Sequence, residues 1–396
     1  MTDHAAELIA LRRAIHKDPE IGLDLPRTQR RILDAIEPLG LEIHLGHGLS
    51  SVVAILRGTA PITGPRAAVL LRGDMDALPV QEALDLDFAS EGVGTMHACG
   101  HDLHVAGLVG AVRLLADRRD ELAGDVVFMF QPGEEGPGGA QIMLDEGLLE
   151  VAGSPVVAAY ALHVASAGHP LGTWFGRPGP IMAAADECLI RVRGSGGHGS
   201  QPHLAKDPVP VACEIVLALQ LMVTRQFDAM DPMVLTVGRI SSGTKDNIIP
   251  DDAELELTVR TFSAANRDRV HGAIAQVANG IAAAHGLTVE VAPTMGYPVT
   301  VNDETEYAFL RETIEDVFGA ERYVPMPTPE AGAEDFAFVA QRVPAAYVFL
   351  SACAAADPAT APDNHSPRAD FDDSVVADAA LLLAELALRR LPSALA

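Results

Sequence analysis

Apolar positions recur with two different periods along this chain, and the changes of period mark its elements. Leu8, Ile9, Leu11 and Ile15 share one face of a helix expected over residues 3–17. A second helix, 26–39, has a proline at its start and Gly40 at its end. Residues 41–44 and 51–56 follow as strands, and 67–71, 126–130 and 156–162 are short, continuously apolar runs. Such runs belong to strands covered on both faces. Between them Val105, Leu108, Val109, Val112 and Leu115 are spaced for a helix, and residues 139–146 form another. Alternating strands and helices predict a doubly wound α/β fold with a mixed sheet. Ligands of such sheets bind beyond the carboxyl ends of the strands.

From Asp186 the order changes. Strands 188–192, 234–240, 255–261 and 287–291 enclose helices 208–225 and 267–284, a β-α-β-β-α-β succession of the ferredoxin-like kind. Tyr297-Pro298 marks the return to the first layer, with helix 306–318, strand 346–350 and helix 375–388. The expected domains are 1–184 together with 297–396, and an α+β insertion at 185–296. A length of 396 residues also favours two cores over one. There is no internal repeat.

The 28 basic and 54 acidic residues give a net charge of −26, a field that repels nucleic acid and anionic membrane. The cysteines, Cys99, Cys188, Cys213 and Cys353, are scattered without a CxxC pair, which fits free thiols in a reducing compartment. The first 20 residues are charged throughout and lack the apolar core of a signal peptide. No run reaches the roughly 18 apolar residues of a membrane span. A cytoplasmic enzyme is the expectation.

The densest chemistry lies in His97-Ala98-Cys99-Gly100-His101-Asp102-Leu103-His104. Gly100 lets the backbone turn so that the Cys99 thiolate and the His101 imidazole converge. Sulfur beside imidazole suits zinc, or manganese, nickel or cobalt. Glu134 and Glu135 sit on a Pro-Gly turn after strand 126–130. Two solvated loop acids would look the same, but the strand-end position and flanking glycines fit a cavity where one carboxylate binds metal and the other acts as a base. His163 ends an apolar strand, as a ligand or as a satisfied core histidine. His365 lies in a proline-flanked loop, as a ligand or as a surface residue. With Cys99, His101 and Glu135 they compose a plausible dinuclear set. Asp76 either orients a ligand or sits idle in its turn. In the glycine-rich stretch 194–200, His198 either projects toward a partner surface or belongs to a flexible loop.

The motifs RGDMDALP, HACGHDLHVAGLVGA, FQPGEEGPGGA, ALHV, GSGGHGSQPH, DNIIPD, GAEDFAF and NHSP run in order from Arg72 to Pro367. Together they closely resemble the dinuclear metallo-aminoacylase and carboxypeptidase family. The similarity is greatest to its amidohydrolase branch, with hippurate hydrolase, N-acetyl-diaminopimelate deacetylase and auxin-conjugate hydrolases. The resemblance implies two divalent ions per subunit held by Cys99, His101, Glu135, His163 and His365, with Glu134 as general base. It implies an inserted lid and dimerisation domain. In that domain His198 stabilises the oxyanion from a second subunit of a homodimer, and Asn247 and Arg260 bind the substrate. A structural ion pair is the alternative role for Arg260. The wider family has histidine where this chain has Asp74 and aspartate where it has Cys99, so the metal stays open among Zn, Mn, Ni and Co. The implied reaction is hydrolysis of small-molecule N-acyl-L-amino acids to a carboxylic acid and a free amino acid. A dipeptidase or carboxypeptidase would use the same parts. A non-catalytic metal-stabilised binding protein would have no use for Glu134. No motif names the acyl group.

Overall fold

The computed structural model describes residues 2–62 and 64–394. Strands that are apolar throughout need cover on both faces, and four of them lie side by side and parallel at the centre of one sheet. In spatial order these are Asp125–Gln131, Ala68–Asp74, Val156–Ala165 and Ala345–Ser351. Every residue of the first, second and fourth is buried. Val52–Arg57 and Glu42–Leu45 extend the sheet on one side and Trp174–Gly176 and Tyr323–Pro325 on the other, making eight strands in all. The chain leaves Ala68–Asp74 for one neighbour, Asp125–Gln131, and then comes back to the other, Val156–Ala165. The winding therefore reverses beside Ala68–Asp74. At such a reversal the connecting loops diverge and leave a crevice past the carboxyl ends.

The helix His101–Asp117 makes the first of these crossings, and from His101 to Val112 every residue is buried. Two glycines permit this depth. A Cβ at Gly107 would stand 3.0 Å from Cβ of Ala379, and one at Gly110 would stand 2.5 Å from Cβ of Ala380 in the helix Val375–Ala394. Gly100, just before the helix, has φ of 80°, a left-handed conformation that a side chain would strain.

Residues 182–300 and 329–334 form a second compact unit, distinct from 1–181, 301–328 and 335–396. Its sheet is antiparallel, in the order Met233–Ser242, Asp252–Thr261, Ala184–Arg193, Thr288–Tyr297. Alternate residues, among them Ile190, Val192, Leu255 and Leu257, face a core shared with the helices Pro208–Gln226 and Ala264–Ala284. The other face is charged.

Several boundaries differ from the sequence expectation. The helix expected from residue 267 starts at Ala264, because the Ser263 hydroxyl caps it by accepting the Asn266 N–H. Trp174–Gly176 and Tyr323–Pro325 have three residues each, too few to show a period. Residues 329–334 group with the second unit, since Ala183 N–H donates to the carbonyls of Glu330 and Gly332.

Candidate metal centre

Three central strands deliver chemistry at their carboxyl ends. Ala68–Asp74 ends in Asp74 and is followed by Asp76, the turn after Asp125–Gln131 carries Glu134 and Glu135, and Val156–Ala165 carries His163. The tight turn at Gly100 adds Cys99 and His101, and the loop after Ala345–Ser351 adds His365. Ligand atoms of Cys99, His101 and His163 all lie within 4.8 Å of one another, as do those of Cys99, Glu135 and His365. Cys99 belongs to both groups. Its Sγ is 3.3 Å from His163 Nε2 and 3.2 Å from His365 Nε2, which is itself 3.2 Å from Glu135 Oε1. Glu134 forms a further such group with His101 and Glu135.

The ring orientations are set from behind. His101 Nδ1 is 2.9 Å from the carbonyl of Asp76, and His163 Nδ1 is 2.8 Å from that of Val164. A carbonyl only accepts, so both Nδ1 atoms carry a hydrogen and Nε2 is the atom each ring offers to the cluster. Among the described residues, His101 Nε2 is buried without a hydrogen-bond partner. Buried atoms of that kind are costly unless something binds them. Burial opposes the Cys99 thiolate, yet the imidazoles of His163 and His101 outweigh it and hold the thiol well below its usual range. Hydrogen bonds to Cys99 and Glu135 push His365 up to about 10. One thiolate, three imidazoles and one carboxylate suit divalent zinc, manganese, nickel or cobalt.

Asp76 is not idle. Its two carboxylate oxygens accept the backbone N–H groups of Glu134, at 3.0 Å, and Glu135, at 3.1 Å, which fixes the turn carrying both acids. His104, Arg72 and Asp335 had no role assigned from the sequence. His104 Nε2 accepts the Val164 N–H at 2.9 Å, so its hydrogen is on Nδ1, 2.5 Å from Asp74 Oδ1. Burial lowers its pKa to about 4, although Asp74 pulls the other way. With both nitrogens engaged, His104 has no lone pair for a metal, despite standing close to Asp74 and His101. Asp74 also accepts from Arg72 Nη1 at 2.7 Å, while Arg72 Nη2 reaches Asp335 at 3.2 Å and Arg72 Nε donates to Gln131. His104 sits one turn beyond His101, a spacing that offered a signal. Arg72 and Asp335 are separated by 263 positions, and no local pattern joins them.

The remaining expected site residues are in the second unit. His198 lies on a two-residue strand paired to Ile248–Ile249, and Gly199 N–H donates to the Asn247 carbonyl, so His198 and Asn247 are neighbours. Ser200 N–H donates to His198 Nδ1 at 3.2 Å. With Nδ1 accepting, the ring donates from Nε2. On the charged face of the sheet Arg191, Arg193 and Arg239 all pair with carboxylates. Among the described residues Arg260 pairs with none.

Known proteins are similar to this chain over most of its length. The thermostable carboxypeptidase 2 of Saccharolobus solfataricus is 37% identical over 386 residues, covering 96% of this chain and 95% of that one. The N-acetylcysteine deacetylase of Bacillus subtilis is 35% identical, covering 98% of each. The crystal structure of the Bacillus subtilis YXEP protein, described as a dinuclear metal binding peptidase of family M20, superposes with a TM-score of 0.84 at 32% identity over 99% of both chains. Residues 70–389 match the peptidase family M20/M25/M40 as a whole. With the ordered motifs, the mixed sheet and the shared-cysteine cluster in place, the chain belongs to the M20/M25/M40 peptidase family.

Proposed function

We propose that this chain is a metal-dependent amidohydrolase that cleaves N-acyl-L-amino acids into a carboxylic acid and a free amino acid. The observation that carries the proposal is the sharing of Cys99 between the group with His101 and His163 and the group with Glu135 and His365. Cys99, His101 and His163 would hold one divalent ion, and Cys99, Glu135 and His365 the other. When bound, the two ions lower the pKa of a water toward about 7 and polarise the acyl carbonyl. Glu134 is the base in this proposal. It takes the proton of the attacking water and returns it to the leaving amine, while Asp76 fixes its backbone. The His198 Nε2–H is the donor for the developing oxyanion. Arg260 has no partner among the described residues and has the fork geometry for the substrate carboxylate, with Asn247 beside His198 as a second polar contact.

The assembly proposed is a homodimer through the inserted unit, with His198 supplied across it. In support, Val209, Cys213, Leu217 and Leu221 recur every fourth residue on the exposed face of Pro208–Gln226. Leu217 is 72% and Leu221 61% exposed. The edge strand Met233–Ser242 adds exposed Val234 and Ile240. Pro208–Gln226 is also the one described helix long and apolar enough to cross a membrane. Its inner side, with Val211, Ile215 and Leu219, is already committed to the core of its own unit.

The similarity to a carboxypeptidase keeps peptide substrates as a second reading. The two readings separate on the acyl side, where a peptide presents a free amine. The test is release of free amine from acetyl, benzoyl, indoleacetyl and dipeptide substrates, with and without added Zn, Mn, Ni or Co. Metal-dependent turnover of the acyl compounds is expected. Turnover of dipeptides alone would establish the second reading, and no turnover at full metal loading would exclude both.

A further inference from the structure

We propose that Asn364 is a positioning residue, which locks the His365 loop to the strand carrying His163 and so sets the spacing of the two donor groups that share Cys99. The proposal rests on reading those residues as metal ligands.

The reason lies in an unfinished sheet ladder. Ala165 ends its strand opposite Ser351, and its carbonyl accepts the Ala352 N–H, so its polar groups point toward Ala345–Ser351. Along a parallel strand these directions alternate, and the Val164 carbonyl and the Ser166 N–H therefore point the other way. On that side the neighbour is Ala68–Asp74, whose pairing stops with Arg72 opposite Ala161. Past that point no backbone group among the described residues pairs with them.

The Asn364 side chain takes the place of the missing strand. Its Nδ2 donates to the Val164 carbonyl at 3.0 Å, and its Oδ1 accepts the Ser166 N–H at 2.9 Å. These are the two bonds that the N–H and C=O of a residue opposite Ala165 would make in a parallel ladder. The Ser166 hydroxyl adds a third bond to Oδ1 at 3.0 Å. Val164 is the residue whose carbonyl fixes the His163 ring and whose N–H is held by His104. The amide of Asn364 is thus joined to the peptide that aims His163.

The following residue shows what the lock restrains. His365 has φ of 70°, the only positive value at a non-glycine residue among those described. A left-handed conformation at a residue with a Cβ persists only where its surroundings enforce it. Here the enforcement comes from both sides, through the Asn364 amide and through the His365 N–H, which donates to the Ala98 carbonyl at 2.8 Å. In that conformation His365 Nε2 reaches both Cys99 and Glu135.

Cobalt(II) titration of chelator-treated, full-length protein tests this through the thiolate charge-transfer and d–d absorption bands. Wild type should saturate at two equivalents; failure to do so would overturn the metal-centre reading and this proposal with it. Asn364→Ala should bind one of the two equivalents about 10–100-fold more weakly, as outer partners of metal ligands commonly do. Its bands should shift, and its metal-free melting temperature should stay within a few degrees of wild type. Asn364→Gln keeps the amide one methylene out of place and should show the same loss in smaller measure. Thr360→Ala, an exposed change in the same loop whose side chain bonds only Asp357, should bind both equivalents within twofold of wild type. Wild-type affinity in Asn364→Ala, an equal loss in Thr360→Ala, or loss of cooperative melting in both Asn364 variants would each overturn the proposal.

Discussion

At the scale of single residues, Glu134 and Cys99 carry the most demanding tests. Glu134 is 7% exposed and shares its cluster with His101 and Glu135, with its backbone held by Asp76. Glu134→Gln preserves shape and removes the proton acceptor. It should keep both metals and lose about 10²–10⁴ in kcat, measured with an N-acyl amino acid at saturation. Near-normal kcat would reassign the base. Cys99 makes a different demand because it belongs to two donor groups at once. Cys99→Ser should therefore weaken both equivalents of metal, whereas a merely buried thiol would leave metal content unchanged. Elemental analysis after dialysis against a mild chelator separates these outcomes. The residues of the cluster were legible in the motifs. Their protonation was not, because the hydrogens of His101 and His163 are placed by the carbonyls of Asp76 and Val164.

At the scale of elements, the approach of the two central helices sets how deep the site lies. Gly110→Ala would gain about 1 kcal/mol of helix propensity. Against that, the new Cβ meets Ala380 Cβ at 2.5 Å and Leu8 Cδ1 at 2.8 Å, and the former is fixed to backbone. Overpacking of this kind costs about 1–3 kcal/mol, so net destabilisation is expected, read as a lower melting temperature. A higher one would mean that the helices can part without loss. The second unit has its own anchor in Asp186, which accepts from Arg267 at 2.7 Å and 3.0 Å, from His271 at 3.0 Å and from Gly296 N–H at 2.9 Å. Burial opposes ionisation of Asp186, but the His271 and Arg267 bonds prevail and depress its pKa. A depressed acid stabilises the fold above its unfolded pKa of about 3.9, and that contribution fades as pH falls below it. Asp186→Ala should thus cost about 3–5 kcal/mol at neutral pH, the usual price of an orphaned buried partner. The gap to wild type should close in melts taken toward pH 2; a gap independent of pH would assign the effect to packing.

At the scale of the whole molecule, the proposed chemistry is divided between two compact units: Glu134 and the five donors belong to one, His198, Asn247 and Arg260 to the other. If His198 acts across a dimer, then mixing inactive His198→Ala with inactive Glu134→Gln should restore activity. Each hybrid would contain one site with both groups intact, so recovery is bounded at about one quarter of all sites after random exchange. No recovery with exchange verified would confine His198 to its own chain or remove it from the reaction. The exposed stripe on Pro208–Gln226 makes the inserted unit the face through which that dimer is expected to form.

The sequence by itself determined the strand and helix periods, the order of the motifs and the kinds of donor atom available. Each of these is written within a few neighbouring residues, because side-chain direction repeats every two or 3.6 positions and turns depend on local glycine and proline. Only the tertiary structure decided which partner each group found. Asp74 and His104 meet across 30 positions, Arg72 and Asp335 across 263, and Asn364 and Val164 across 200. A hydrogen bond depends on separation in space, and separation along the chain leaves no periodic trace of it. The left-handed turn at His365 has the same origin, since its own residue type disfavours that conformation and contacts with Ala98, Val164 and Ser166 impose it.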